Sequence, residues 1–382
     1  MKIFTLIFIL IHAMIIPSKS QQLSESFKKK ILCRFEKKVK NNKDMNTGLL
    51  LIHSDSLNIH WKTAAHHDSS VQVHPDQPYH FASIGKTITS VMISILYEKK
   101  LLQFDDKISN YLDQSVLEGL HIYKGQDYSN EITLSQLLNH TSGLPDYYTD
   151  KNSSNIRMQD LMLSEPERFW TPIETINWAK TQLKPKFKPG KGFHYSDTNY
   201  QLLGLIIEKI TGMKLHEAFH KFIFEPLEMN NTYQIFYSEP KIKNEHPIVD
   251  LYYNGINLLD AKSISMSWAS GGIVSTSEDM LKFMKALVGN EIIRKETFNQ
   301  MQDYAKMGIS FYYGYGIMNF RFMMMYKKYG IWGNSGSTGA FMYYNPLLDI
   351  YMIGSYHKIN CQVQPIFHIF NTLRRINKQI NR

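Results

Sequence analysis

Cysteine is almost missing from this chain: Cys33 and Cys361 are the only two in 382 residues. Their scarcity excludes a scaffold held together by many disulfides and leaves no C-x-x-C pair for a metal or redox centre. In an oxidising compartment the two thiols either pair, since both fall in terminal segments, or remain free. Long apolar runs are equally scarce. One extends from Ile3 to Ile16, broken only by Thr5 and His12, between Met1-Lys2 and Pro17-Ser18-Lys19-Ser20-Gln21. It is too short to span a bilayer comfortably, and its basic start and trailing small residues predict a signal peptide over residues 1–20, cut before Gln21. An uncleaved anchor is the alternative. No cysteine stands near the cut, which argues against a lipid-modified N-terminus. A basic stripe with interleaved aromatics is also lacking. The formal charge is +9, but the basic residues Lys28 to Lys30, Lys37 to Lys43 and Arg374 to Lys378 read as solvated helix faces, so no nucleic-acid partner is expected. There are no internal repeats and no low-complexity segments.

What is present is a globular composition, 43% hydrophobic and 13% aromatic. Removing the leader leaves more chain than one compact core usually takes, which predicts two lobes or a core with a large insertion. Glu25 to Lys40 places Phe27, Ile31, Leu32, Phe35 and Val39 at spacings of three and four, the pattern of an amphipathic helix. Gly48 to His53 and Leu57 to Lys62 flank Ser54-Asp55-Ser56 as a hairpin. His66-His67-Asp68 looks like a metal site but has no partner cluster, and is read as a solvated turn. A long helix is expected to start at Ser83 as its N-cap, with Ile84, Ile88, Val91, Met92, Ile95 and Leu96 on one side. From Asp105 to about Asp260 short helical patterns alternate with loops, the strongest being Gln201 to Ile210. The last third brings a helix from Glu278 to Leu287, then strand-like runs at Tyr329 to Trp332, Ala340 to Tyr344 and Ile350 to Ser355. A final helix is expected over about Val363 to Asn377. Strands at both ends with helices between predict an α+β fold, one antiparallel sheet built from both chain ends and flanked by terminal helices, with a mostly helical inserted lobe.

A serine hydroxyl is a weak nucleophile until a neighbouring base takes its proton, and a lysine three residues along a helix lies on the same face. Ser83-Ile84-Gly85-Lys86 offers this arrangement. Ser26, Ser238 and Ser355 are also followed by Lys at the third position, so the spacing alone is weak. Ser83 differs in standing at the start of a long helix, where backbone N–H groups favour developing negative charge; the plain alternative is an ordinary capping serine beside an exposed lysine.

Further along stand Tyr195-Ser196-Asp197 and Asn334-Ser335-Gly336-Ser337. Together with Ser83 to Lys86, and in this order, they resemble the three active-site motifs of serine β-lactamases and penicillin-binding proteins. The branch with class C β-lactamases, D-alanyl-D-alanine carboxypeptidases and related esterases is the most similar. The likeness extends from about Gly48 to Tyr356, through Ile132-Thr133-Leu134, His140 to Pro145, Phe193 to Tyr200 with Leu202-Leu203-Gly204, and Gly271-Gly272 with Ser275-Thr276 and Glu278-Asp279. It implies a β-lactamase/transpeptidase-like fold over residues 21–382, with an α/β lobe at about 23–115 and 265–382 and a helical lobe at about 116–264.

The resemblance also implies roles. Ser83 would form an acyl-enzyme, Lys86 would help remove its proton, and Tyr195 would act as general base or proton shuttle. The backbone N–H groups of Ser83 and Ser337 would form an oxyanion hole. Asp197, Asn334, Gly336 and Ser337 would border the substrate. Two positions depart from the family. Asp197 falls where Asn is usual and is expected to hold Lys86 protonated. Asn334 falls where Lys or His is usual, so recognition of a substrate carboxylate is put in doubt unless His357 substitutes. His140, Thr141 and Ser142 are read as a turn packing the helical lobe. Phe311 to Gly316 and Met323-Met324-Met325 are read as packing rather than catalytic. The expected activity is cleavage of an ester or amide through an acyl-serine, by an esterase, D-peptidase or β-lactamase-related enzyme. It would need no metal or cofactor and would act as a monomer, secreted or periplasmic and without stable membrane insertion, on a small-molecule or peptide acyl substrate such as a cell-wall fragment. The alternative is a non-catalytic protein that binds a ligand or partner in the same pocket.

Overall fold

The computed structural model describes residues 23–43, 45–322, 328–358 and 363–382. The expected signal segment, Met323 to Met325 and Cys361 lie outside the described residues, and Cys33 is a partly exposed free thiol.

Eight antiparallel strands form the main sheet, in the order Ala305–Gly308, Phe311–Tyr313, Met318–Phe320, Ile331–Ser335, Ala340–Asn345, Ile350–Ser355, Thr47–Ser54 and Ile59–His66. The two ends of the chain meet where Leu49 pairs with Ser355 and Leu51 with Ile353. Leu49 to Ile52 is apolar without interruption because both faces of that strand are covered. Alternation sends Leu49 and Leu51 into one core with Ile84, Ile88 and Val91. It sends Leu50 and Ile52 into another with Ile31, Phe35 and Val39 of the N-terminal helix Glu25–Lys40 and Ile369, Leu373 and Ile376 of the C-terminal helix Val363–Ile380. A Cβ on Gly48 would stand 2.4 Å from Val39 Cγ2, so the N-terminal helix can settle only because residue 48 has none. The last strand alternates buried Ile59 and Trp61 with outward His60 and Lys62, a polar pattern that protects a sheet edge.

The hairpin is as expected, except that its second strand starts at Ile59, since Asn58 takes a positive φ and belongs to the turn. Asn334 and Ser335 extend the strand expected over Tyr329 to Trp332 and pair with Met342 and Phe341. The helix expected at Gln201 begins four residues earlier, at Asp197. Its first turn buries polar Thr198 and Asn199, which the apolar periodicity overlooks; Gly212, at φ 66°, ends it. His66 closes a strand and Asp68 accepts from Ser70 in the turn beyond. Among the described residues no three His, Cys, Asp or Glu side chains cluster as metal ligands.

The long central helix does not begin on a capping serine. Ser83 lies in the 3₁₀ turn Ala82–Ile84, the α-helix runs over Gly85–Glu98, and no side chain caps it. Ala82 just before has φ 46°, a left-handed conformation that costs an alanine roughly 1–2 kcal/mol. Nor is the helix apolar on one side alone, for every residue from Gly85 to Leu96 is buried. It lies between sheet and helical insert, and its hydroxyls bond inward: Thr87 donates to the Gly316 carbonyl at 2.7 Å and Thr89 to that of Ala269 at 2.7 Å.

Candidate active site

Three segments distant in sequence meet around Lys86. Its ammonium is wholly buried, 3.2 Å from Ser83 Oγ, 2.7 Å from the Ser270 carbonyl and 2.5 Å from Asp197 Oδ1. It also lies 5.0 Å from the centre of the Tyr195 ring. Burial by itself pushes the Lys86 pKa down. The Asp197 carboxylate and the Tyr195 hydroxyl more than reverse this, so its pKa stands above the ordinary lysine value. Burial raises the Tyr195 phenol, while the Lys86 charge and the nearby Lys86 and Ser83 side chains pull it down and Asp197 pushes it up, leaving it above the ordinary tyrosine value. In the resting site Lys86 is therefore an ammonium and Tyr195 a neutral phenol. The Asp197 carboxylate acts in the expected direction, raising Lys86.

Tyr195 is held from behind by a residue read from sequence as lobe packing. His140, buried and at φ 61°, has its ring 4.3 Å from that of Tyr195. Its Nδ1 accepts from the Ser196 N–H and from Asn199 Nδ2, each at 3.1 Å, which places the proton on Nε2. Burial, the Lys86 charge and His194 hold its pKa well below 6.5, so the ring stays neutral. Buried Tyr313, from the aromatic run, closes the other side, 4.5 Å from His140 and 5.7 Å from Tyr195. Asp146 went unnoticed in the sequence. Its carboxylate accepts from the Asp197 N–H at 2.9 Å and also from Tyr148 and Thr149. Burial first and the Asp197 charge second push its pKa up to about 6. The sequence signal for both residues is the turn His140 to Asp146, whose Gly143 has φ 79° and no room for a Cβ beside the Phe187 carbonyl.

The third segment divides. Ser337 reaches the cavity, but Asn334 does not. Its side chain is fully buried and donates to the carbonyls of Ser83 (3.3 Å) and Gly316 (2.9 Å) and to Thr87 Oγ1 (3.2 Å). Asn334 thus fastens its strand to the turn that carries Ser83 and does not line the cavity. Gly336 serves close approach: a Cβ there would sit 2.4 Å from the Phe81 carbonyl oxygen. His357 does not substitute as a cation. It is buried against Tyr79, with its pKa lowered by burial and by His80 to about 3, and is not on the cavity wall.

Ser83, Tyr195, Asp197 and Ser337 share the wall of one 340 Å³ cavity with Asp146 and Gln159. The arrangement can take a carbonyl compound beside a hydroxyl whose proton has two buried, hydrogen-bonded acceptors within reach once either loses its own.

Comparison with known proteins agrees with this architecture. The family model described as Beta-lactamase matches residues 45–355. Penicillin-binding protein 4* of Bacillus subtilis is 32% identical over 162 residues, 40% of this chain and 30% of that protein. The chain spans less than half the length of the curated relatives it matches. A D-stereospecific amidohydrolase from Streptomyces sp. superposes with a TM-score of 0.70 at 22% identity, covering 88% of this chain and 94% of that one. A D-amino acid amidase from Ochrobactrum anthropi SV3 superposes at 0.72 and 18% identity, covering 92% and 99%. At these identities the two structures establish likeness of fold.

Proposed function

The chain belongs to the beta-lactamase family, and on that premise we propose that it is a serine hydrolase cleaving an ester or amide through an acyl-serine intermediate. The observation that carries the reading is that Ser83 and Tyr195 share one cavity wall while the buried Lys86 ammonium stands behind it, 3.2 Å from Ser83 Oγ and 5.0 Å from the Tyr195 ring centre.

Ser83 Oγ attacks the substrate carbonyl carbon and its proton passes to the Lys86–Tyr195 pair. The carbonyl oxygen, now negative, is received by the N–H groups of Ser83 and Ser337. Collapse expels the alcohol or amine, which takes that proton, and leaves the acyl group on Ser83; water then releases it by the same route reversed. Because Lys86 and Tyr195 are both protonated at rest, turnover requires the pair to lose one proton first. Activity is therefore governed by a macroscopic pKa belonging to the pair, on the alkaline side of neutrality. Among the described residues that line the cavity a substrate carboxylate finds no Lys or Arg, and the Asn334 amide is spent within the protein. An ester or amide without that anion thus fits better than a penicillin. Secretion or export to the periplasm is part of the proposal; no described helix is long and apolar enough to cross a membrane.

A fluorophosphonate should label wild-type protein at Ser83, and p-nitrophenyl ester hydrolysis should vanish in Ser83→Ala. Hydrolysis surviving that substitution overturns the assignment. A wild-type protein that no serine-directed probe labels is instead a non-catalytic binder, the reading favoured if the Lys86–Asp197 ion pair never releases its proton.

A further inference from the structure

We propose that the cavity contains a cation subsite, formed by the second carboxylate oxygen of Asp197 and the side-chain amide of Gln159, selecting acyl compounds with a protonated amine next to the scissile carbonyl. This rests on the acyl-serine reading and names its substrate class.

Asp197 gives one oxygen to Lys86, and its backbone N–H to Asp146. The carboxylate is still 12% exposed, and the residue stands on the cavity wall. Among the described residues no hydrogen-bond donor satisfies its other oxygen, which therefore faces the cavity. Gln159, in the helix Met158–Ser164, is only 4% exposed and lines the same cavity. Its backbone N–H is engaged by the Tyr148 carbonyl at 3.2 Å, while its side-chain amide has no hydrogen-bond partner among the described residues. The side chain lines the cavity, and its amide oxygen there is an acceptor open to a donor on a bound compound.

The charges agree. Among the described residues the cavity wall carries the carboxyls of Asp146 and Asp197 but no Lys, Arg or His. The buried Lys86 behind it balances one carboxylate, leaving the space complementary to a cation and repellent to an anion. The distances restrict where the cation sits. Lys86 Nζ is 3.2 Å from Ser83 Oγ and 2.5 Å from Asp197 Oδ1, so the carboxylate lies within about 6 Å of the nucleophile. A cation bound there stands close enough to the carbonyl under attack to be the α-ammonium, two bonds from that carbon, of an amino-acid amide, an amino-acid ester or a peptide N-terminus.

The test separates binding from catalysis. Ser83→Ala protein is titrated by calorimetry with phenylalaninamide and with N-acetylphenylalaninamide, in both enantiomers. The free amine of one enantiomer should bind at least tenfold more tightly, and that preference should fall severalfold in Ser83→Ala carrying Gln159→Leu. Wild-type enzyme should turn over a free aminoacyl p-nitroanilide at least tenfold faster, in kcat/KM, than its N-acetyl form, with the N-succinyl form slowest. Gln159→Lys should narrow or invert the order, and circular dichroism checks that each variant is folded. Equal binding of amine and acetamide, or a preference untouched by both Gln159 substitutions, overturns the subsite. Failure of Ser83 labelling with amine binding intact would instead overturn the acyl-serine reading and leave the subsite standing.

Discussion

Replacing Asp197 by Asn tests whether the carboxylate 2.5 Å from Lys86 sets the protonation state of the site. Asparagine keeps the shape and an acceptor oxygen for the ammonium but removes the charge. Two unit charges about 4 Å apart interact by about 4 kcal/mol at an effective dielectric near 20. One pKa unit is about 1.4 kcal/mol, so the charge can account for about three units at most. The retained acceptor oxygen beside the ammonium and the open side of the cavity reduce this, leaving an expected change of about one to two units. The direction is the same for both candidate bases, because the Asp197 charge raises Lys86 and Tyr195 alike. The pair must lose a proton before Ser83 can give up its own, so the ascending limb of kcat/KM against pH should move toward acid by about one to two units. Well below the limb, activity should rise roughly tenfold for each unit moved. The assay is a pH–rate profile with an uncharged p-nitrophenyl ester, which keeps substrate charge out of the comparison. An unmoved limb, or a shift toward alkali, would refute the control of Lys86 and Tyr195 by Asp197.

Gly336→Ala should destabilise the protein by about 1–3 kcal/mol in denaturant titration and remove most esterase activity, because its Cβ would press on the Phe81 carbonyl and push Ser337 away from Ser83; wild-type stability would refute the close approach. Asn334→Ala removes the amide that donates to the Ser83 and Gly316 carbonyls and to Thr87 Oγ1, leaving Gly316 only its Thr87 donor, and should cost about 1–3 kcal/mol in the same titration. If it instead weakens substrate binding without loss of stability, Asn334 borders the substrate after all. Acid should weaken the fold. Burial lowers His80 to about 4, His357 to about 3 and His140 well below 6.5. Below about pH 6.5 the unfolded chain therefore takes up protons that the folded chain refuses; the stabilisation is complete above that pH and falls by up to about 1.4 kcal/mol per unit for each histidine. Asp146, raised to about 6, acts oppositely from pH 6 downward and offsets one of them. The melting temperature should drop by several degrees between pH 7 and pH 5, and a flat profile would count against the buried neutral histidines.

Legibility from the sequence followed the range of the interactions. The N-terminal helix, the hairpin and the strand Ile350–Ser355 were readable because their apolar spacing reports burial directly. The central helix was readable as a helix but not in its start: Ser83 looks like a cap by residue type, whereas in the fold its hydroxyl points to Lys86. The first turn of the helix Asp197–Thr211 was hidden because its buried side chains are polar and are satisfied by Pro145 and His140, some fifty residues away in the chain. Asn334 was read as facing the cavity, whereas its side chain is buried away from it. A strand position fixes which face a residue takes but not whether a neighbouring helix or a cavity waits there.

The sequence by itself determined the order of the three segments, the three-residue spacing of Ser83 and Lys86, and the sheet closed by the two ends of the chain. Only the tertiary structure decided that Asp197 and Tyr195 surround the Lys86 ammonium, that His140 backs the tyrosine, and that Asn334 and His357 are turned inward. The physical reason is that helix and strand periodicities act over a few residues. The charge state of a buried ammonium depends instead on which carboxylate the rest of the fold brings within a few ångströms of it, and no local pattern encodes that distance.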